Sequence, residues 1–224
     1  MADLSRRAVG RLLGDPYSPG TVVGRSRAAR WELLLRHFPQ LDRMSVLDLG
    51  GRPRAWSAAP CRPKSLTIVD VDPLEPGPGD PEAEVIEGDA CAVTTLLPGR
   101  RFDLVYSNSM LEHVGGHDRR QQVADAIAAL GDHHWIQTPY RYFPVEPHWW
   151  FPGFQFLPVA ARAWVAAHWE VGPRTARGLS PEAVLASVQS VELLSRTELA
   201  AYFPTSTILA ERFAGLTKSI IATA

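Results

Sequence analysis

Four short apolar runs, each broken or ended by a carboxylate or an amide, hold the residues of this chain best suited to chemistry. Val46-Leu47-Asp48-Leu49-Gly50-Gly51 is broken by one acid and closed by a glycine pair. Ser65-Leu66-Thr67-Ile68-Val69-Asp70 ends in an acid about twenty residues further on, the offset expected of a ribose-binding carboxylate. Glu84-Val85-Ile86-Glu87-Gly88-Asp89-Ala90 repeats the pattern, and Phe102-Asp103-Leu104-Val105-Tyr106-Ser107-Asn108 ends in an amide. Carboxylates placed this way can accept hydrogen bonds from the hydroxyl and amino groups of a ligand, while glycine lets the backbone approach it closely. Just past the fourth run stands His113, a residue type that ordinarily titrates near neutrality and the first candidate for a general base. His148 and Glu146 are the second candidates, and they stand in an aromatic-rich stretch over residues 139–158. Tyr140, Tyr142, Trp149, Trp150 and Phe154 in that stretch could wall an apolar acceptor pocket with a few polar groups.

These residues need a scaffold that brings them to one edge, and the pattern of the chain supplies one. Apolar runs ending at acids and glycines read as buried parallel strands. Ala28, Trp31, Leu34, Leu35 and Phe38 recur at spacings of three and four, which predicts an amphipathic helix over 25–38 ending before Pro39. Pro53, Pro60 and Pro63 leave room for only a short helix after Gly51. Residues 118–130 have helical composition closing at Gly131, and His133 to Gln137 form a fifth strand. Helical patterns follow at 158–169 and 181–190, and Ser195-Arg196-Thr197-Glu198 reads as a capping box. Two β-rich runs, 206–213 and 217–223, flank a loop at Ala214-Gly215-Leu216. The expected fold is therefore α/β: a Rossmann-like, seven-stranded, mostly parallel sheet with a C-terminal antiparallel hairpin and helices on both faces. Residues 1–24, with four glycines and two prolines, are expected to be an arm or lid before a single domain over 25–224.

The order and spacing of the four motifs resemble those of class I S-adenosylmethionine-dependent methyltransferases of the small-molecule type, over the chain from about Arg25 onward. The glycine loop is shorter than that family's and reads Gly50-Gly51-Arg52-Pro53. The resemblance implies S-adenosylmethionine as cofactor, with Asp70 on the ribose hydroxyls, Asp89 on the adenine amino group and the Gly50 backbone near the methionine end. Gly51, Val71, Ala90 and Asn108 join that set. Asp48 would orient the loop or reach the amino group through water, and Asp72 competes with Asp70 for the ribose. The implied activity is methyl transfer to the oxygen or nitrogen of a small, aromatic or otherwise apolar acceptor. A noncatalytic cofactor-binding or scaffolding protein of the same fold is the alternative.

Composition narrows the classes further. With 224 residues and 46% hydrophobic content the chain suits one domain with a substantial core. A formal net charge of −1 offers no general attraction to nucleic acid, and no apolar run reaches membrane-spanning length. Gly50-Gly51-Arg52-Pro53 lacks the dinucleotide fingerprint of nicotinamide oxidoreductases. Cys61 and Cys91 are too few for a disulfide framework and suit a reducing cytoplasm. No metal site is expected. His133 and His134 are adjacent on a strand and point to opposite faces, and Gly115-Gly116 breaks the helical spacing of His113 and His117.

Overall fold

The computed structural model describes residues 21–72, 75, 77, 82–169 and 172–224. The arm expected over 1–24 lies outside these except for its last four residues, which open the first helix. That helix, α1 (Val22–His37), starts three residues before the apolar pattern because Thr21 caps it, its hydroxyl accepting from the Gly24 N–H at 3.0 Å. A short 3₁₀ turn then leads into β1 (Ser45–Leu49), followed by α2 (Pro53–Ser57), which has proline at its first position. The chain continues through β2 (Ser65–Asp70), β3 (Glu84–Glu87), α3 (Val93–Leu96), β4 (Phe102–Asn108), α4 (His117–Leu130) and β5 (Gly131–Pro139).

The sheet has seven strands in the order β3-β2-β1-β4-β5-β9-β8, where β8 (Thr207–Phe213) and β9 (Leu216–Thr223) form the closing hairpin. The first five strands pair in parallel, and β9 returns antiparallel to β5. This is the mostly parallel sheet that the sequence pattern predicts. The hairpin loop is only Ala214-Gly215, both at positive φ (50° and 83°), so Leu216 already belongs to a strand.

Strand residues alternate between two cores, as a period of two requires. Val46, Ile68, Leu104, Tyr106 and Trp135 pack with Trp31 and Leu34 of α1 and with its C-cap residue Phe38 on one face. Leu47, Leu49, Val69, Val105 and Ile136 pack with Val123 and Ile127 of α4 on the other. Gly131 caps α4 as expected, its N–H donating to the Ile127 carbonyl, and with an extended φ of −109° it also opens β5. Glycine is demanded there by close approach, since a β-carbon would lie 2.7 Å from Val105 Cγ2 and 2.8 Å from the His133 carbonyl.

Between β5 and the hairpin lies a smaller layer. A two-stranded ribbon, β6 (Val145–Glu146) with β7 (Phe151–Pro152), packs with α5 (Val159–His168) and α6 (Pro181–Gln189). The helix α7 (Arg196–Tyr202) that follows is opened by the predicted capping box, with both reciprocal hydrogen bonds formed.

His134 on β5 is turned inward against Phe203, and its Nε2 meets the Ser206 hydroxyl at 2.7 Å. Burial, with a smaller contribution from His133, lowers its pKa from the ordinary 6.5 to about 4. The folded form therefore binds fewer protons than the unfolded chain between those values, and this residue's contribution to stability is full above 6.5 and lost as pH falls toward 4. Urea unfolding of the His134→Asn variant should show a shallower loss of stability over that window than the parent chain. Parallel curves would remove His134 as a cause.

Candidate functional site

The strand order reverses between β1 and β4, the place where open α/β sheets form a ligand crevice beyond the strands' carboxyl ends. Gly50 opens the loop there with φ +72°, its N–H donating to the Val69 carbonyl at 2.8 Å. A β-carbon on Gly50 would fall 2.4 Å from Met110 Cγ, and one on Gly51 only 1.8 Å from Asp48 Oδ2. Both glycines are thus required by contact, and Gly50 by its φ as well.

Asp48 is buried beneath this loop. Its Oδ2 accepts from Trp56 Nε1 at 2.7 Å, while its Oδ1 is buried with no partner. Burial raises its pKa from 3.8 to about 7; the Trp56 bond opposes this and the charge of Asp70 adds to it. Asp48 faces a cavity of about 150 Å³ together with Arg30, Trp31, Gly50, Gly51 and Asn108. Arg30 reaches into it from α1, donating to Asn108 Oδ1 at 2.8 Å and pairing with Glu211 of β8 at 3.0 Å.

On the other side of Gly50 and Arg52 lies an open cleft of about 460 Å³, within the range of small-ligand sites. Asp70, Val71, Asp89 and Ala90 line it, together with Ser109, Met110 and His113. Asp70 Oδ1 accepts from the Asp72 N–H at 2.8 Å, and the Asp72 carboxylate points to Arg52 at 3.4 Å. Asp89 caps the 3₁₀ turn after β3 by accepting from the Cys91 N–H, and pairs with Arg119 at 2.7 Å. Desolvation alone would raise its pKa, but those partners hold it below the usual carboxylate range.

The three candidate catalytic residues, scattered over 35 positions, meet in space. Glu146 Oε1 contacts His148 Nδ1 at 2.7 Å, and His148 Nε2 lies 3.1 Å from His113 Nε2. His113 Nδ1 in turn lies 3.2 Å from the Ser190 carbonyl. Burial, aided by His148, pushes His113 down to about 4, so it is neutral at pH 7. Sequence reasoning missed a fourth member, Glu112, which is buried beside His113 and has its pKa raised by that burial. An acid followed by histidine after a strand carries no periodicity that marks the acid as inward-facing. Arg30, Trp56 and Arg119 were missed too, since they sit on helices whose register toward the crevice is not written in the local pattern.

The aromatic stretch divides. Trp149 and Phe154 are 1% and 2% exposed and stack with centroids 5.3 Å apart inside the core of the ribbon and its helices. That placement gives them a packing role, away from the cleft and from the cavity over Asp48. Tyr140 is half-buried against the main core. Tyr142 and Phe156 are 58% and 54% exposed, Trp150 sits at a positive φ of 49°, and Trp149 and Phe154 also border a separate cavity of about 400 Å³ beside Glu146 and Arg141.

Comparison of the whole structure with solved structures finds the same architecture. The N-methyltransferase NodS from Bradyrhizobium japonicum WM9, in complex with S-adenosyl-L-homocysteine, superposes with a TM-score of 0.53 at 12% identity, covering 98% of this chain and 96% of that one. Magnesium protoporphyrin IX methyltransferase from Synechocystis PCC 6803, with the same ligand, gives 0.53 at 12% identity over 99% and 94%. A cyclopropane-fatty-acyl-phospholipid synthase-like protein from Lactobacillus casei ATCC 334 gives 0.53 at 15% identity over 94% and 78%. This is the class I methyltransferase fold. No protein-family model and no curated protein sequence matches the chain. Among the described residues, no helix of this methyltransferase fold is long and apolar enough to cross a membrane.

Proposed function

We propose that the chain transfers the methyl group of S-adenosylmethionine to an oxygen or nitrogen of a small, aromatic or otherwise apolar acceptor. One observation carries the reading: an unpartnered buried carboxylate oxygen of Asp48 and the carboxylate of Asp70 flank the Gly50 turn at the strand-order reversal. Such a pair suits a ligand with a cationic end and a ribose end. When bound, S-adenosylmethionine supplies an electrophilic methyl group on a sulfonium, whose positive charge disperses as the methyl leaves.

The chain's own residues then bind and align. Asp70 accepts from the ribose hydroxyls, with Asp72 drawn aside to Arg52. Asp89 and Ala90 border the adenine end, and Val71 forms the outer lip. Asp48, with Gly50, Gly51 and Asn108, faces the methionine end. In-line displacement needs alignment and exclusion of water more than proton transfer, so the acceptor is placed against the His113 edge of the cleft. With a pKa of about 4 and its two ring nitrogens already facing Ser190 and His148, His113 is a poor base for a hydroxyl acceptor, which favours alignment over proton transfer.

Two results test this. A thermal-shift panel should show stabilisation by S-adenosylmethionine and S-adenosylhomocysteine, about 2.7 kcal/mol at a hundredfold excess over Kd, and none by NAD. Stabilisation by NAD alone would overturn it, and binding without label transfer from methyl-labelled cofactor to any of a panel of phenols and amines would favour the scaffolding alternative. Asp48 gives a finer check. A cationic ligand beside a carboxyl with a pKa of about 7 favours ionisation. Binding of S-adenosylmethionine at pH 6.5 should therefore release protons, seen as calorimetric heats that change with the ionisation enthalpy of the buffer; buffer-independent heats would place the cationic end elsewhere.

A further inference from the structure

We propose that Glu112, His113 and His148 form a binding site for one first-row divalent cation at the rim of the cofactor cleft. The expectation of no metal weighed only histidines close in sequence. The fold instead brings His148, from the turn between β6 and β7, onto the segment that follows β4. One ligand atom from each of the three residues lies within 4.8 Å of the other two.

Hydrogen bonding decides what those atoms offer. His148 Nδ1 faces the Glu146 carboxylate and His113 Nδ1 faces the Ser190 carbonyl, both of them acceptors, so each Nδ1 carries the hydrogen. Each Nε2 is then left with a lone pair, and the two point at one another across 3.1 Å with their rings at 88°. That contact repels unless something positive lies between. A cation about 2.0–2.1 Å from each nitrogen would see them at about 100°, between the octahedral and tetrahedral angles. The third donor is Glu112, whose Oε1 is buried without a partner and lies 4.0 Å from His113 Nε2. A shift of about 1 Å would bring it to coordination distance.

The outer shell is also in place. Glu146 orients His148, and its second oxygen accepts from the backbone N–H groups of His148 and Trp149, both at 2.7 Å. Thr138 donates to Glu112 Oε2 at 2.9 Å. A carboxylate behind a ligating histidine is the usual means of fixing its tautomer. Two imidazoles and one carboxylate favour zinc, iron or manganese over magnesium or calcium, and leave further coordination positions open. The site stands on this geometry alone. Its use, which rests on the methyl-transfer reading, would be to hold an oxygen or nitrogen of the acceptor at the His113 edge of the cleft.

The test is calorimetric titration of the chelator-treated full chain with Zn²⁺ alone, with S-adenosylhomocysteine titrated separately. One saturable zinc site per chain is expected. It should weaken at least tenfold in His148→Ala and Glu112→Gln, and by about 10- to 100-fold in the positioning variant Glu146→Gln. Cofactor-product binding and the far-ultraviolet spectrum should be unchanged in at least Glu112→Gln, which keeps the size of the side chain. Absence of a saturable site in the parent chain, or zinc affinity equal in all variants, overturns the proposal and leaves a proton between the imidazoles. Loss of S-adenosylhomocysteine binding in the parent chain would count against the cofactor reading, and the zinc result would still stand.

Discussion

Gly51→Ala should bind S-adenosylhomocysteine roughly a hundredfold more weakly than the parent chain, a cost of about 2.7 kcal/mol. The new β-carbon would sit 1.8 Å from Asp48 Oδ2, far inside any tolerated contact. The carboxylate has to swing away, leaving the Trp56 N–H unsatisfied and filling the small cavity that the methionine end needs. Overpacking and one lost buried hydrogen bond each cost about 1–3 kcal/mol, so the melting temperature should also fall by several degrees. Calorimetry on the folded variant separates the two effects. Unchanged affinity in Gly51→Ala would mean that the ligand does not approach the loop.

Asp70→Ala carries the next largest effect. Asp70 ends β2 at the lip of the cleft, and its Oδ1 organises the turn by accepting from the Asp72 N–H. Removing a charged acceptor from two ribose hydroxyls should cost about 1.5–3 kcal/mol, or roughly ten- to a hundredfold in affinity. Asp72→Ala should change affinity little, because its carboxylate is exposed and turned to Arg52. The reverse order of effects would move the ribose contact to Asp72.

What was legible in the sequence followed from periodicity and from residue types with few alternatives. Val46, Leu47 and Leu49 had to be a buried strand, and Gly50-Gly51 had to be a tight turn, so Asp48, Asp70, Asp89 and Asn108 fell together at one edge of the sheet. The capping box at Ser195 and the closing hairpin were equally local. Contacts made by irregular segments were not legible. The prolines within 139–158 rule out a regular helix, but only the three-dimensional ribbon turns Trp149 and Phe154 into a core while swinging His148 onto His113. Glu112 shows the same limit, because nothing in Met110-Leu111-Glu112-His113 marks the acid as the buried member. Gly131 was legible as the residue that closes the helix, but not the close approach of Val105 that demands glycine there.

Methyl transfer by this chain requires the crevice beyond β1 and β2 to hold S-adenosylmethionine, and titration of the full chain with S-adenosylhomocysteine checks this. One saturable site per chain is expected, displaced by S-adenosylmethionine and weakened at least tenfold by Asp70→Ala. No saturable binding to the parent chain, or binding left intact by both Asp70→Ala and Gly51→Ala, would contradict it.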